Sequence, residues 1–118
     1  MPFRVVAARE LADFLRAVAH PRRIQILEEL RSGECDVATL AKATSLAQAN
    51  VSQQLMVLRA HRVVAERREG RHVYYRLRSQ ELADWLRKGM DYLPPMDEHA
   101  ADVRLAIKKA QDEWSQHE

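Results

Sequence analysis

A run of amide and hydroxyl side chains lies near the middle of this chain. Its members are Gln48, Asn50, Ser52, Gln53 and Gln54. Glutamine and asparagine can donate and accept hydrogen bonds at once, so they match the adenine edge in the major groove of DNA, and a serine hydroxyl can bond either a base or a phosphate. A solvated polar face on an ordinary helix would have the same composition. The pattern of the surrounding residues decides between a DNA-contacting face and a solvated one.

Apolar residues around this run place it on a helix. Val51, Leu55 and Leu58 recur at i, i+4 and i+7, which is the spacing of one face of an α-helix. With these three side chains turned inward, we expect all four amides, Gln54 included, to face outward near the N-terminus of the helix. A recognition helix approaches base edges in this way.

A shorter helix and a tight turn precede this recognition helix. Three apolar residues lie at helical intervals on one face of the shorter helix: Val37, Leu40 and Ala41. Ser45-Leu46-Ala47 then interrupts the pattern. Residues 37–61 are therefore predicted to form a helix-turn-helix.

The stretch that follows, residues 63–77, has the pattern of a β-hairpin. Two β-prone runs flank Glu69-Gly70, and glycine supplies the positive φ that a hairpin turn needs. Basic residues gather at the predicted tip: Arg67, Arg68, Arg71 and His72. Together with Arg59 at the end of the recognition helix, they are predicted to grip the phosphate backbone. We call this hairpin the wing.

Positive charge is concentrated on the same two elements. The whole chain has 19 Lys and Arg against 17 Asp and Glu, a net charge of +2 that by itself implies nothing about nucleic acid. Residues 53–78, however, carry 7 basic and 2 acidic side chains, whereas residues 79–118 carry 5 and 9. The charge expected of a DNA-binding surface therefore falls on the recognition helix and the wing.

The remaining elements are predicted to be helical. A first helix covers about residues 5–19, and Pro21 starts a second helix that Gly33 ends. A helix from Gln80 runs to Pro94-Pro95, and a last helix covers about residues 97–114. The predicted fold is mainly α with a β-hairpin wing, in the order ααααββαα. It forms one winged helix-turn-helix domain over residues 1–118.

Composition bounds the class of protein. Hydrophobic residues make up 47% and charged residues 31%, as in a soluble globular protein, and no apolar run approaches the roughly 18 residues that cross a bilayer. The N-terminus has no signal-peptide pattern, and a single cysteine excludes an internal disulfide, so we expect a cytoplasmic protein. The three glycines do not form a phosphate loop. We predict no enzyme activity and no cofactor.

Three motifs in order resemble the ArsR family of bacterial winged-helix repressors. They are AHPRRIQIL at residues 19–27, VSQQL at residues 51–55 with Leu58, and GRHVYYRL at residues 70–77. The resemblance covers roughly residues 10 to 93. It implies a homodimer whose interface is formed by the first and post-wing helices, residues 5–19 and 80–114. It also implies binding to a near-palindromic double-stranded operator and release by an inducer, here unidentified.

Two departures from the family pattern concern the ends of the recognition helix. Ala47 stands where relatives often have a serine N-cap, and Ser45 with Gln48 could form a substitute capping box. Arg62 stands where many relatives have glycine after this helix. A left-handed Arg62 would be strained there, or else the chain would leave the helix by another route.

Sensor residues of the family are largely missing. Many relatives bind metals through paired cysteines before the recognition helix, and those positions hold Asp36 and Ala38. Cys35 lies one residue earlier. It lies near a helix start, where we expect its pKa to be somewhat lowered, and it is either a sensor thiol or a small residue tolerated there. His99 with neighbouring acidic residues imitates a second family arrangement in part, without the complete ligand set that zinc requires. We predict no metal site.

The function predicted from these residues and this resemblance is that of a sequence-specific DNA-binding repressor. The alternative is a winged-helix protein-interaction module without specific DNA binding, which would use the apolar and acidic last helices. The basic wing favours the repressor, and a gel-shift assay would separate the two.

Overall fold

The computed structural model describes residues 2–94 and 101–116. The elements follow in the order α1 (Phe3–Val18), α2 (Pro21–Glu29), β1 (Cys35–Asp36), α3 (Val37–Thr44), α4 (Gln48–Ala60), β2 (Val64–Glu69), β3 (His72–Leu77), α5 (Glu81–Gly89) and α6 (Ala101–Gln116). Single 3₁₀ turns follow α2 at Leu30–Ser32 and α5 at Met90–Tyr92. The predicted class, mainly helical with a hairpin wing, is confirmed. Residues 97–100, where the last helix was predicted to begin, lie outside the described ranges.

The short strand β1 is an addition to the predicted order. It pairs antiparallel with β3, Cys35 opposite Tyr75 and Asp36 opposite Tyr74. The wing is the antiparallel pair β2 and β3, so the sheet order is β1-β3-β2. Gly70, with φ 61°, makes the turn between β2 and β3, as its position in the sequence predicts.

One apolar core joins the recognition helix, α4, to the wing. Its largest fully buried side chains come from α2, the following 3₁₀ turn, α3, α4 and both wing strands: Ile26, Leu27, Leu30, Leu40, Val51, Leu55, Leu58, Val64 and Leu77. Each side chain of this kind contributes about 1.5 to 3 kcal/mol when fully buried. The helix and the hairpin are therefore held in a fixed relation by shared packing.

Helix ends near α4 explain how the tight turn is made. Asp36 caps α3, because its Oδ1 accepts from the backbone N–H of Thr39 at 2.8 Å. Ser45 ends α3 in the left-handed conformation, with φ 59°, and Ala47 precedes α4 without a side-chain cap bond. The capping box predicted for Ser45 and Gln48 is wrong, because Ser45 forms the turn that closes the preceding helix.

Of the two routes expected at Arg62, the structure has the left-handed, strained one. The φ of Arg62 is 59°, and its backbone N–H bonds the carbonyl of Arg59 at 2.9 Å, so the chain leaves α4 through a left-handed arginine. Among the residues described, no helix combines the length and the apolar character needed to cross a bilayer.

Candidate nucleic-acid interface

The outer face of α4 carries most of the side chains predicted to contact bases. Gln48, Ser52 and Gln53 are exposed, and Asn50 is half-buried at the edge of this face. The first turn of α4 contains no acidic residue, so no side chain within that turn opposes the positive end of the helix dipole. This turn is suited to approach a polyanion.

Met56 is a surface residue of α4 that the polar run did not single out. It is 70% exposed, and it lies on the side of the helix opposite the buried Val51 and Leu55. Helical geometry alone could have placed it there. An exposed thioether on a recognition helix can pack against a thymine methyl group, so Met56 joins the candidate contacts.

Gln54 does not face outward, and the prediction for it is wrong. Its side chain is 8% exposed. The Oε1 atom accepts from Nε of Arg23 at 2.9 Å, and the Nε2 group donates to Oδ1 of Asn50 at 3.4 Å. Gln54 lies three residues after Val51 and four before Leu58, so helical periodicity turns it toward the core. Burial is tolerated because both of its polar atoms are bonded.

The tip of the wing presents three exposed basic residues, Arg68, Arg71 and His72. Arg67 lies lower on β2 and is engaged within the chain. Its Nε donates to the Glu34 carboxylate at 3.0 Å, and its Nη1 donates to Glu69 at 2.7 Å. These bonds raise the pKa of the Arg67 guanidinium, so the group stays charged, and its face lies 4.8 Å from the ring centroid of Tyr74. A phosphate would have to compete with two carboxylates for Arg67.

A groove of about 480 Å³ lies between α4 and the wing. The helix supplies Ser52, Met56 and Arg59 to its lining, and the wing supplies Glu66, Arg68 and Tyr75. Inside the groove, Oε1 of Glu66 lies 3.2 Å from Nη2 of Arg59 and 3.6 Å from Nε of Arg68. The recognition helix and the wing thus line the same concave flank of the molecule.

Cys35 is half-buried in β1, with Sγ 3.9 Å from the carbonyl oxygen of Gly33. Burial, with added repulsion from Glu29 and Asp36, raises the pKa of the Cys35 thiol. The expectation of a lowered pKa is wrong, because desolvation outweighs the nearby helix start. Residues 2–94 and 101–116 contain no cluster of three or more His, Cys, Asp or Glu that could hold a metal ion. His99 lies outside these ranges.

Comparison with known proteins identifies the family that this chain resembles. The family model described as "Bacterial regulatory protein, arsR family" matches residues 20–66. The "Transcriptional repressor SmtB homolog" of Synechocystis is 37% identical over 90 residues, covering 76% of this chain and 68% of the relative.

Solved structures agree on the fold. NolR from Sinorhizobium fredii superposes with a TM-score of 0.68 at 33% identity, covering 79% of this chain and 93% of NolR. The homodimeric winged helix-turn-helix DNA-binding domain of Mb0332 from Mycobacterium bovis gives a TM-score of 0.68 at 30% identity, covering 77% and 87%. The winged helix-turn-helix fold is confirmed, and this chain belongs to the ArsR family of bacterial regulatory proteins.

Proposed function

We propose that this chain is a homodimeric transcriptional repressor that binds a specific sequence in double-stranded DNA through α4 and the wing. The observation that carries the proposal is the shared groove, lined by Met56 and Arg59 of the helix and Arg68 of the wing. A helix in the major groove and a hairpin on the flanking phosphates need this common orientation. The repressor name of the SmtB homolog supports the same function.

In this proposal Gln48, Asn50, Ser52 and Gln53 contact bases. Arg71 and His72 contact phosphates, and so do Arg59 and Arg68, which share the single carboxylate of Glu66. Arg67, which is paired with two carboxylates, contributes through its position in the wing. Such an interface needs no catalytic group, so the protein acts by occupying DNA and not as an enzyme.

Dimerisation is supported by the exposed apolar surface of α1. Only Ala17 and Val18 of this 16-residue helix are buried, whereas large apolar side chains along it are exposed: Phe3, Val5, Val6, Leu11 and Leu15. Trp85 of α5 is also exposed and packs edge-on against Phe14, with ring centroids 6.0 Å apart. Exposed apolar surface that continues over two helices is typical of an interface. We propose that a second copy covers α1 and α5.

The twofold arrangement matters for DNA binding because one recognition helix contacts too few base pairs for useful specificity. A dimer presents two such helices to the two halves of a near-palindromic site. The solved DNA-binding domain of Mb0332 is homodimeric, which supports this assembly.

The test starts from an operator selected out of random-sequence duplexes by the wild-type protein. Binding to this operator and to a scrambled duplex of equal length is then measured by fluorescence anisotropy. Gln53→Ala should weaken operator binding by about 5- to 100-fold for each half-site with little effect on scrambled DNA, because it removes a base contact in each half-site. Arg71→Ala should weaken both, because it removes a phosphate contact.

Equal losses for the two variants would contradict the assigned roles. Equal affinity of the wild-type protein for operator and scrambled DNA would contradict the function itself. The assembly is tested separately by light scattering, where Leu11→Asp should shift the dimer toward monomer because it introduces a charge into the proposed interface.

A further inference from the structure

A chain of hydrogen bonds runs through the protein from the end of α1 to the recognition helix. Its centre is Arg23 of α2, whose Nη1 donates to the backbone carbonyls of Ala17 at 2.9 Å and Arg16 at 3.4 Å. The Nε of Arg23 donates to Oε1 of Gln54 at 2.9 Å. Gln54 in turn donates from Nε2 to Oδ1 of Asn50 at 3.4 Å. Asn50 is the last member of this chain and lies on the recognition helix.

The direction of these bonds follows from the chemistry of arginine. A guanidinium group has only donors, so the end of Gln54 that faces Arg23 has to be its oxygen. The other end of the same amide is then its NH₂ group, which can only donate. Asn50 must therefore turn its oxygen toward Gln54, and its own NH₂ group points away from this contact. The orientation of both amides is thus set by Arg23.

Burial makes this arrangement persistent. Gln54 is 8% exposed, so water competes poorly for its polar atoms, and a reversed amide would leave two donors facing each other at Arg23. The anchor of Arg23 on the carbonyls of Ala17 and Arg16 holds the guanidinium in place. Asn50 is half-buried beside Gln54, in the first turn of α4, where base contacts are made.

We infer that Arg23 and Gln54 are positioning residues that make Asn50 present a hydrogen-bond donor to DNA, so that Asn50 selects guanine and does not form the paired contact with adenine. The two-bond pairing of asparagine with adenine needs its oxygen and its nitrogen directed at the same base. The oxygen of Asn50 is turned toward Gln54, so the amide does not direct its oxygen and its nitrogen at one base in the groove. A side chain that presents only donors is best matched by guanine, which offers two acceptors, N7 and O6, whereas adenine offers N7 beside a donor and thymine offers O4 alone. This inference rests on the proposed function and specifies its base preference.

Gln54→Glu tests the inference by reversing one bond. A glutamate at this position still accepts from Arg23 but cannot donate, so Asn50 should rotate its amide and turn its oxygen to the groove. The base position that Asn50 contacts is first identified as the one where Asn50→Ala loses discrimination. At that position Gln54→Glu should move the preference from guanine to adenine or cytosine, which present donors, by about three- to tenfold.

Two further measurements use the wild-type protein and a matched control. Replacing the contacted guanine with 7-deazaguanine removes the N7 acceptor and should weaken wild-type binding by about three- to tenfold. Gln25→Glu adds the same charge at an exposed position of α2. It should lower affinity for all duplexes alike and leave the base preference unchanged. Circular dichroism and thermal unfolding confirm that each variant is folded. Once Asn50→Ala has identified the contacted position, the modified duplexes test the inference on the wild-type protein alone.

The outcomes are distinct. The inference is overturned if wild-type protein prefers adenine at the Asn50 position and loses affinity when adenine is replaced by purine, which lacks the N6 donor. It is also overturned if folded Gln54→Glu has the same preferences as Gln25→Glu, or if Asn50→Ala changes discrimination nowhere. Wild-type protein that binds operator and scrambled DNA equally would instead overturn the proposed function, and this inference with it.

Discussion

Arg67 and Arg71 are two arginines of the wing that should respond differently to salt. Arg71 is exposed in the hairpin turn and forms no ion pair among the residues that the structure describes. Arg67 is already held by the carboxylates of Glu34 and Glu69, at 3.0 and 2.7 Å. A side chain whose charge is compensated within the protein releases few counterions from DNA. We therefore expect Arg71→Ala, and not Arg67→Ala, to flatten the salt dependence of operator binding.

The size of the effect follows from counterion release. Each neutralised phosphate contributes a slope of about −0.9 to the logarithm of the binding constant against the logarithm of salt concentration. A dimer loses two such contacts with Arg71→Ala, so the slope should become shallower by about 1.8. Between about 50 and about 200 mM salt, the variant should then lose about tenfold less affinity than the wild-type protein. Arg67→Ala should change the slope by less than half as much.

The assay is fluorescence anisotropy of a labelled operator, titrated at several salt concentrations in this range. Thermal unfolding is followed in parallel, because Arg67→Ala also removes two ion pairs and a contact with Tyr74. If the slope changes equally for the two variants, the intramolecular pairing of Arg67 does not withhold it from DNA. If Arg71→Ala leaves the slope unchanged, the wing does not contact phosphate at its tip.

Three predictions concern stability. Leu55→Ala should lower the free energy of unfolding, measured by chemical denaturation, by about 2 to 5 kcal/mol, because Leu55 is fully buried. Met56→Ala at the exposed neighbouring position is the control and should change it by less than about 0.5 kcal/mol. Similar losses for the two variants would contradict the packing of α4. Arg62→Gly should raise the free energy of unfolding by about 0.5 to 1 kcal/mol by relieving the left-handed backbone, and Arg62→Ala, which keeps the strain, is the control that should show no gain. Burial raises the pKa of Glu28 from 4.5 to about 7, so its contribution to stability is complete below pH 4.5 and is lost as the pH rises through about 7. Thermal melts across this range should show a smaller decline for Glu28→Gln, and an unchanged decline would place the titration elsewhere.

The recognition helix and the wing could be predicted because their signals are local. The spacing of Val51, Leu55 and Leu58 specifies one helix face, and Gly70 between two β-prone runs specifies a hairpin. The same periodicity contained the signal that places Gln54 inside, since i+3 from Val51 lies on the buried face. The residue type of Gln54 alone favours the surface, whereas its position on this helix face places it in the core.

Other features depend on contacts between distant parts of the chain. The pairing of Arg67 with Glu34 spans 33 residues, and the bond of Arg23 to Gln54 spans 31. No local sequence pattern predicts that residues so far apart in the chain form a hydrogen bond or an ion pair. The raised pKa of Cys35 has mainly the same origin, because burial in the folded chain is its largest cause and the nearby charges of Glu29 and Asp36 add less. A two-residue strand such as β1 is also too short to produce an alternating pattern.

That short strand has a practical consequence for protein engineering. Cys35 and Asp36 supply the outer neighbour of β3, and Asp36 at the same time caps α3. A backbone nick or an inserted loop within these two residues would therefore loosen the hairpin and the first helix of the helix-turn-helix in one event. A transplant of this hairpin onto another scaffold would have to carry the dipeptide along, or provide a substitute edge for β3.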